Sequence, residues 1–481
     1  MNFKKTPIQK ASNSSGKLQN FSEWKTRICK VWKKKKIIQK HHPGLFFLTL
    51  AAGIIAGAFL ILSTYGLIKN GGLLKIIQPL KVDNENRTNV LLLGTGTEDH
   101  EGSDLTDTVM VASLDHEKQT LSIISLPRDL YIVTEFGPSR INQIYEHGLK
   151  SATKEKGLEV LKTAIQKIIG MQIHYYAKID FKGFEEFVDA IGGVDIFVDQ
   201  KIIDTSYPKG ETFEYETFVL EKGPRHLDGK TALKYARTRK CTICLDGDFG
   251  RAKRQHQILN AIKDKTISAK TLLSPSKIKN IFQIIRNNFD SDLNVNDFLY
   301  IAAQGKNFSN NTIFSWVIHD NPDQAGGFLY VPERKYYGGA FVLLPTTNPM
   351  GFKDENPYYE INDFADLVMK HPKIMQEATT IKILNGTRIN SFASLTFRYL
   401  ARYGFNAVQF GNNTTRDKEK TIIYDTKNKN PEILTLLQKR IPGEIQHNVP
   451  EDIENTENVD IIVILGQDFY EFYKTNKARF Y

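Results

Sequence analysis

The sequence predicts an α/β protein: a central mixed sheet flanked by helices follows one transmembrane helix, and a small α/β domain lies near the C-terminal end. Three observations support this fold class. Residues 45–68 contain no charged side chain. After residue 88, short apolar runs alternate with segments whose apolar residues recur at helical spacing. The same alternation starts again at Ile381, after an Asn-rich stretch that Gly and Pro interrupt.

The elements of the larger α/β unit are predicted in chain order. Residues 89–94 form a buried strand that ends at a glycine, and the apolar runs 109–114 and 120–125 form a hairpin. Apolar residues at helical spacing predict a helix over 158–169 that stops at Gly170. The later elements are a strand at 175–179, a helix over 184–191, a strand at 194–198, a helix over 231–237 capped by Asp228, and a helix over 251–266.

The basic excess of the chain belongs to its first residues. The formal net charge is +10, but residues 1–42 hold twelve Lys or Arg and one acid, which leaves 52 basic and 53 acidic residues elsewhere. The remainder therefore has no general field for binding nucleic acid. Residues 45–68 are long enough to cross a hydrocarbon core of about 30 Å. Because Lys33–Lys36 precede them, we expect a single-pass protein of the cell membrane with a cytoplasmic N-terminus and extracytoplasmic globular domains.

Five segments follow from these patterns. They are a basic cytoplasmic tail at 1–44, a transmembrane helix at 45–68, a linker at 69–88, the larger domain with an extension at 89–372, and the C-terminal domain at 379–470. In the C-terminal domain we expect strands at 381–387, near 408, near 422 and at 461–465, with helices before Gly404 and after Pro431.

Arginines cluster in two motifs, Tyr235-Ala236-Arg237-Thr238-Arg239 and Gly250-Arg251-Ala252-Lys253-Arg254-Gln255. The planar guanidinium stays charged and binds phosphate oxygens in pairs. On the predicted helix 251–266 the polar side chains stand at the N-terminal end, which favours an anion. The joint clustering therefore predicts a pyrophosphate site, although an ion pair on the helix surface remains the preferred interpretation for Arg254 and Lys253.

With these motifs the chain resembles the LytR-CpsA-Psr family across about residues 89–265. Each motif is weak alone, but their order is specific. The other segments that carry the resemblance are Leu91-Leu92-Leu93-Gly94, Leu105-Thr106-Asp107-Thr108, Ser125-Leu126-Pro127-Arg128-Asp129, Ile191-Gly192-Gly193-Val194 and His226-Leu227-Asp228-Gly229. Residues 381–466, which open with Leu384-Asn385-Gly386-Thr387, resemble the LytR-type C-terminal domain often attached to family members.

The resemblance implies a phosphotransferase. It would take a glycopolymer phosphate from an isoprenoid pyrophosphate lipid carrier, join it to a sugar hydroxyl of peptidoglycan and release prenyl phosphate. It also implies a lipid-filled apolar channel under the central sheet. Displacement at phosphorus requires cations that neutralise developing charge, a divalent metal on the phosphates and a carboxylate that orients metal or nucleophile.

The family's pyrophosphate-binding positions correspond here to Arg128, Arg237, Arg239, Arg251 and Gln255. Asp107 corresponds to the carboxylate that the family uses near magnesium or as a base. We therefore expect Asp107, Arg128, Arg237 and Arg239 to be catalytic, and Mg²⁺ or Mn²⁺ to be the cofactor.

The chain departs from the family after the first strand. Family members usually have a second Asp there, where this chain has Thr95-Gly96-Thr97. Either metal binding is altered, or Asp104 or Asp99 substitutes. An ordinary turn residue beside Gly102 and Ser103 is an equally good interpretation of Asp104. We carry Asp107 and Asp104 forward as the expected metal ligands.

Two further features have competing interpretations. Cys241 and Cys244 fit a disulfide that closes a loop, or two thiols, better than redox catalysis, because no thioredoxin-like pattern surrounds them. The apolar stripe of 158–169 and the aromatic residues Phe181, Phe184 and Phe187 suit a prenyl channel, but such stripes are more often ordinary core. A noncatalytic envelope protein that binds lipid or glycan or has a regulatory role, and a hydrolase acting on prenyl-pyrophosphate glycans, remain alternatives to the transferase.

Overall fold

The structure is a computed structural model, and all the residues that it describes belong to the unit formed by residues 42–481. Within the described part of the chain no helix is both long and apolar enough to cross a bilayer, and residues 45–68 lie outside that part. The described residues are 80–96, 104–209, 214–238, 254, 257–258, 261–262, 265, 289–294, 297, 312–346, 356–377, 379–427, 431–450, 453 and 459–475.

A mixed sheet of six strands forms the centre of the larger α/β unit, in the order β11-β6-β1-β2-β3-β12. Strands β2 and β3 form the predicted antiparallel hairpin, while β1 pairs in parallel with β6 and β3 with β12. The prediction of a central mixed sheet is therefore confirmed. Its strands are β1 (Arg87–Thr95), β2 (Thr108–Asp115), β3 (Thr120–Leu126), β6 (Tyr175–Asp180), β11 (Phe289–Ser291) and β12 (Ile313–Val317).

Both faces of this sheet are buried, because side chains alternate between two apolar clusters along each strand. On β1, Leu91 and Leu93 belong to one cluster, whereas Val90 and Leu92 belong to the other. Burial on both faces explains why the whole of β1 is an unbroken buried run, the pattern from which it was predicted.

Helices cover each face. The first face carries α1 (Ile144–Ser151), α2 (Lys154–Ile169) and α5 (Tyr359–Lys370). The second carries α3 (Phe181–Ala190) and α4 (Gly229–Arg237). Helix α2 ends as predicted at Gly170, which adopts the left-handed conformation (φ 72°).

One predicted strand has a different place in the fold. Val194–Val198 (β7) pairs with β10 (Gly223–Leu227) in a separate two-stranded sheet and does not join the central sheet. Two further hairpins were not predicted, β4 (Tyr131–Thr134) with β5 (Gly137–Arg140) and β8 (Ile202–Pro208) with β9 (Tyr215–Leu220). A further short antiparallel pair consists of β13 (Leu329–Tyr330) and β14 (Leu344–Pro345).

The C-terminal α/β domain contains a five-stranded sheet in the order β16-β15-β19-β17-β18. Its helices pack into the same apolar cluster as the first face of the central sheet. Phe328 joins the two parts, since its ring lies 5.2 Å from Phe364 and 5.1 Å from Tyr403. The elements are α6 (Pro372–Gln376), β15 (Ile381–Asn385), α7 (Phe392–Arg402), β16 (Ala407–Asn412), β17 (Ile422–Asp425), α8 (Pro431–Arg440), β18 (Glu444–Gln446), β19 (Ile461–Leu465) and α9 (Gln467–Thr475).

Candidate active site

Strand ends meet at one edge of the central sheet, which we call the carboxyl edge. Thr95 at the end of β1 lies opposite Asp180 at the end of β6, and Gly94 lies opposite Thr108 at the start of β2. Leu126, the last residue of β3, pairs beside the start of β2. The chain segments that follow β1, β3 and β6 and precede β2 therefore all emerge at this edge.

Two of the predicted site residues are in direct contact at the carboxyl edge. Arg128 Nη1 donates a 2.9 Å hydrogen bond to Asp107 Oδ1, and the two charged side chains form an ion pair through this contact. Asp107 immediately precedes β2 and Arg128 follows β3, so the antiparallel register of the hairpin brings them together. Their side chains are 35% and 30% exposed, which leaves both reachable from solvent.

The pair extends into a chain of alternating charges. Asp129 Oδ2 lies 3.6 Å from Arg128 Nε, and its Oδ1 accepts a 3.3 Å hydrogen bond from Arg140 Nη1. Arg140 is the last residue of β5, and its Nε lies 3.4 Å from Gln143 Oε1. Asp129 belongs to a motif quoted above, but no sequence signal marks Arg140 as its partner.

Asp104 has a different neighbour from Asp107. Burial raises the pKa of Tyr145 on α1 to about 12, and the negative charges of Asp290 and Asp104 add to this rise. Between the two acids, Thr106 is buried and its N–H donates to Asn142 O at 3.0 Å. Asp107 therefore contacts Arg128, whereas Asp104 lies near Tyr145.

Arg237, at the end of α4, also reaches the carboxyl edge. Its guanidinium lies 4.0 Å from the ring centre of Phe181, the residue directly after β6, and 5.9 Å from that of Tyr207. Strands β3 and β6 are three strand spacings apart, or about 14 Å. Helix α4, which ends at Arg237, packs on the second face of the sheet, whereas Leu126 and Leu130, on either side of Arg128 in the chain, are buried in the cluster on the first face.

Close packing of α4 on α3 places Arg237. A Cβ atom at Gly229 would lie 2.1 Å from the backbone oxygen of Glu185 on α3, so only glycine fits there. Asp228 caps the helix by accepting a 2.8 Å bond from Thr231 N–H, which lowers the pKa of its carboxyl group. This geometry gives the motif Asp228-Gly229 a physical role.

Arg254 is a correction to the sequence-based interpretation. We expected an ion pair on the helix surface, but the residue is 5% exposed and its Nη2 donates a 2.6 Å bond to the carbonyl of Thr238. It thereby holds the backbone just after α4. The helix predicted over 251–266 is described at six positions, all helical, where Ile258 and Ile262 are buried as expected.

Several predicted residues fall outside the described part of the chain. They are Arg239, Arg251 and Gln255 of the pyrophosphate set, Asp99, and Cys241 and Cys244. Of the segment Thr95-Gly96-Thr97, which stands where family members usually have a second Asp, the structure describes Thr95, which is 3% exposed, and Gly96.

A polar cluster that the sequence did not indicate lies near Asp104. Asp290 Oδ2 is 2.7 Å from Lys154 Nζ and 3.9 Å from Lys178 Nζ, and Asp290 Oδ1 accepts a 3.1 Å bond from the Tyr176 hydroxyl. Burial, followed by the charge of Asp290, raises the pKa of Tyr176. Lys178 also lies 4.9 Å above the ring of Tyr145.

The apolar stripes are buried in the two clusters. Leu158, Leu161 and Ile165 of α2 belong to the first cluster. Phe184 and Phe187 of α3 belong to the second cluster, and both rings are fully buried. Phe181 is only half-buried and carries Arg237 on its face. The prenyl channel that the resemblance implies remains a prediction.

The described acids do not form a closed protein cage for a metal. Among the residues that the structure describes, no group of three or more His, Cys, Asp or Glu side chains could hold an ion. Mg²⁺ is commonly held by one or two carboxylates together with substrate phosphates and water. The reachable carboxylate of Asp107 fits such an open site.

Comparison with known families decides the affiliation. The model of the LytR-CpsA-Psr family matches residues 72–337, which is more than half of the chain. The chain belongs to this family. A second model, described as LytR cell envelope-related transcriptional attenuator, matches residues 378–469. Both predicted affiliations are therefore confirmed.

Relatives of this LytR-CpsA-Psr protein include two named as polyisoprenyl-teichoic acid–peptidoglycan teichoic acid transferases. TagV of Bacillus subtilis (strain 168) is 30% identical over 236 residues, which are 48% of this chain and 54% of TagV. TagU of Bacillus cereus (strain AH820) is 28% identical over 297 residues, or 58% of this chain and 89% of TagU. The prediction of a transferase agrees with these names. A third relative is regulatory protein MsrR of Staphylococcus aureus (strain COL), 31% identical over 205 residues, or 42% of this chain and 56% of MsrR.

Solved structures also match the chain. The crystal structure of B. subtilis TagV covers 60% of this chain and 99% of its own, with a TM-score of 0.43 and 22% identity. That of B. subtilis TagU covers 59% and 96%, with a TM-score of 0.37 and 20% identity.

Proposed function

We propose that this protein transfers a glycopolymer phosphate from an isoprenoid pyrophosphate lipid carrier to a sugar hydroxyl of peptidoglycan. It acts as a single-pass protein of the cell membrane, with its N-terminus in the cytoplasm and its globular domains outside. The contact between Asp107 and Arg128 at the carboxyl edge carries the proposal, because it joins a carboxylate and a guanidinium that both remain open to solvent. The named transferases among the relatives support the reaction class.

The reaction breaks one phosphorus–oxygen bond and forms another. The acceptor hydroxyl attacks the phosphorus that bears the polymer, and prenyl phosphate leaves with the electrons of the broken bond. Arg128 and Arg237, with Arg239, Arg251 and Gln255, bind the diphosphate oxygens and neutralise the charge that develops on them. Asp107 orients the acceptor hydroxyl and accepts its proton, or it holds a metal ion.

Arg128 is suited to this role because its two carboxylate neighbours orient it. The guanidinium lies between Asp107 and Asp129, at 2.9 and 3.6 Å, so its direction is set before substrate binds. Arg237 is oriented differently, by the ring of Phe181. Preorganised cations cost less reorganisation when charge develops in the transition state.

Mg²⁺ or Mn²⁺ is the proposed cofactor, and Asp107 with Asp104 are its proposed ligands. The metal would neutralise phosphate oxygens and thereby favour displacement. Asp107 offers a solvent-accessible carboxylate for this purpose. The charge of Asp104 instead contributes to the raised pKa of Tyr145. Metal binding would therefore draw mainly on Asp107 and on the substrate.

The test uses the full chain in detergent with a prenyl-pyrophosphate saccharide and soluble peptidoglycan fragments. Release of prenyl phosphate and a glycan product that carries the polymer phosphate are expected, and a chelator should stop both. The double variant Arg237→Ala with Arg239→Ala should lose release while its thermal unfolding stays unchanged. Unchanged release by this folded variant would refute the assignment of the arginines.

A noncatalytic regulatory or binding role is the second candidate. It is favoured by the name of the relative MsrR, a regulatory protein, and by the segment Thr95-Gly96-Thr97, which stands where family members usually have a second Asp. Binding of the donor without turnover, with and without Mg²⁺, would support it. If the donor is cleaved but its phosphate passes to water even with peptidoglycan present, the protein is a hydrolase.

A further inference from the structure

Aromatic side chains of the β13–β14 hairpin, together with Tyr131 on β4, lie near Arg128. The base of this hairpin is anchored by buried Leu329, Leu343 and Leu344. Its loop is exposed, with Tyr336 at 72% and Phe341 at 39%. We call the rings of Tyr131, Tyr330, Tyr336, Tyr337 and Phe341 the aromatic platform.

Backbone hydrogen bonds attach the platform to the candidate site. Leu343 N–H donates to Asp129 O, and Tyr131 N–H donates to Leu343 O, each at 2.9 Å. The rings of Tyr131 and Tyr337 meet edge to face, with centres 5.0 Å apart. Because Asp129 directly follows Arg128, the platform begins within a few residues of the proposed phosphate site.

The loop is preordered. A 3-10 turn spans Arg334–Tyr337 and ends at Gly338, which adopts a left-handed conformation (φ 61°). Lys335 lies 4.9 Å from the ring centre of Tyr336, and Arg334 lies 5.6 Å from that of Phe341. Rings that are already held in place bind a ligand with a smaller cost in conformational entropy.

The chemistry of the platform suits a sugar chain better than a membrane surface. Four of the five rings are phenols, which combine an apolar face with a hydroxyl group, as saccharides combine C–H faces with hydroxyls. The charges of the loop nearly balance, since Lys335 forms an ion pair with Glu333 and only Arg334 is in excess. Membrane-binding segments instead carry clusters of about four to eight basic residues.

We propose that the aromatic platform binds the sugar chain of the acceptor glycan and so positions the hydroxyl that reacts beside Arg128. The inference rests on the proposed function for the identity of the acceptor. The donor pyrophosphate occupies the arginines, whereas the platform consists of other side chains. It should therefore affect the KM for the acceptor and leave the KM for the donor unchanged.

The experiment compares the wild-type protein with the double variant Tyr336→Ala, Phe341→Ala. We expect the KM for peptidoglycan oligosaccharides to rise roughly tenfold, as the loss of two ring contacts predicts. Titration of the same oligosaccharides without donor, followed by intrinsic fluorescence, should show a matching loss of affinity. Phe410→Ala is the control, because Phe410 is 53% exposed on β16 of the C-terminal domain. Tyr336→Phe, which keeps the ring, should retain most of the affinity.

The outcomes separate the two proposals. If the wild-type protein transfers phosphate but the double variant keeps the wild-type KM for the acceptor and the wild-type glycan affinity, the proposed role of the platform is wrong. If the wild-type protein does not transfer phosphate but the variant loses glycan affinity, the transferase is wrong and the platform stands. If the double variant keeps its glycan affinity and loses only its binding to vesicles that contain anionic lipid, the surface binds the membrane. That result would overturn the proposal. Thermal unfolding identifies a misfolded variant, and Tyr336→Ala alone, at the most exposed ring, then replaces it.

Discussion

Arg128 donates a 2.9 Å hydrogen bond to Asp107, although 21 positions separate them along the chain. The hairpin of β2 and β3 creates this contact, since one residue precedes the first strand and the other follows the second. Both side chains are about one third exposed, at 35% for Asp107 and 30% for Arg128. An ion pair this exposed contributes little to stability, about 0–1 kcal/mol.

Substitutions in this pair should therefore separate activity from stability. Asp107→Asn and Arg128→Ala should each reduce prenyl phosphate release by roughly 10²–10³-fold, the usual effect of removing a group that stabilises transition-state charge. The melting temperature should fall by only a few degrees, since about 1 kcal/mol or less is lost. Lys201→Ala is a matched control, because Lys201 forms an exposed 2.7 Å ion pair with Glu221. A large loss of stability with little loss of specific activity would contradict the catalytic assignment.

The stacked arginine provides a second prediction. Arg237→Lys keeps the charge but loses the planar group that lies on Phe181. We expect roughly a tenfold or greater fall in kcat/KM for the donor. Phe181→Leu should raise the donor KM with kcat nearly unchanged, as a positioning residue would. Steady-state kinetics with varied donor measure both effects, and Arg225→Lys is the control, at a half-buried arginine on β10 whose Nε donates to the carbonyl of Glu221. Equal losses in the Arg225 variant would remove the special role of Arg237.

The sequence predicts β1, β2, β3, β6 and most helices because their patterns are local. Strand β12 had no such signal. Its parallel partner β3 lies almost two hundred residues earlier, and pairing across that distance depends on the folded core. Strand β7 matched the strand pattern, but pairing with β10 took it out of the central sheet. Periodicity predicts a strand without predicting its neighbour.

The candidate site shows the same limit. Asp107 and Arg128 were predicted from a resemblance, and their contact follows from the predicted hairpin. The link from Asp129 to Arg140 depends on β5, a four-residue strand without an apolar pattern. Arg254 was assigned to an ion pair on the helix surface, the preferred interpretation of a lone Arg, but the carbonyl of Thr238 makes its burial possible.

Two histidines, buried His174 and half-buried His319, predict a loss of stability in mild acid. Burial lowers the pKa of His319 and of His174 below 6.5. Each ring accepts a backbone N–H at Nδ1, from Asn321 at 3.1 Å and from Asn89 at 2.9 Å, so each is held neutral. The unfolded chain then binds protons more readily than the folded protein. This contribution to stability is therefore complete above pH 6.5 and is lost as the pH falls towards the lowered folded pKa values.

The measurement is the free energy of unfolding of the full chain between pH 7.5 and roughly 5. Desolvation raises the pKa values of Glu185 and Asp292, which act in the opposite direction, so the test compares slopes between variants. His319→Gln and His174→Gln should each flatten the dependence, and together more than singly. If the free energy of unfolding of the double variant depends on pH with the same slope as that of the wild-type protein, the assignment to these histidines is wrong.

The buried ion pair between Glu360 and Arg402 should stabilise the junction between the two α/β parts. Their side chains are 1% and 3% exposed, with Arg402 Nη2 at 3.2 Å from Glu360 Oε2. Arg402 Nε also donates to Gly327 O at 2.9 Å. Removing one partner leaves a buried charge, so Glu360→Ala or Arg402→Ala should cost about 3–5 kcal/mol. Denaturant unfolding of the full chain measures this loss.

A matched control lies one helical turn earlier on α7. Arg398 forms an ion pair with Asp323 in which the side chains are 49% and 58% exposed. Arg398→Ala should change the free energy of unfolding by less than about 1 kcal/mol. The double variant Glu360→Leu, Arg402→Met removes both charges, so it should be more stable than either single variant. Equal losses for Arg398→Ala and Arg402→Ala would show that burial does not set the strength of these pairs. The expected contrast would show that the pair of Glu360 on α5 with Arg402 stabilises the contact between the C-terminal domain and the central sheet. Phe364, one helical turn after Glu360, contacts the ring of Phe328 at the same junction.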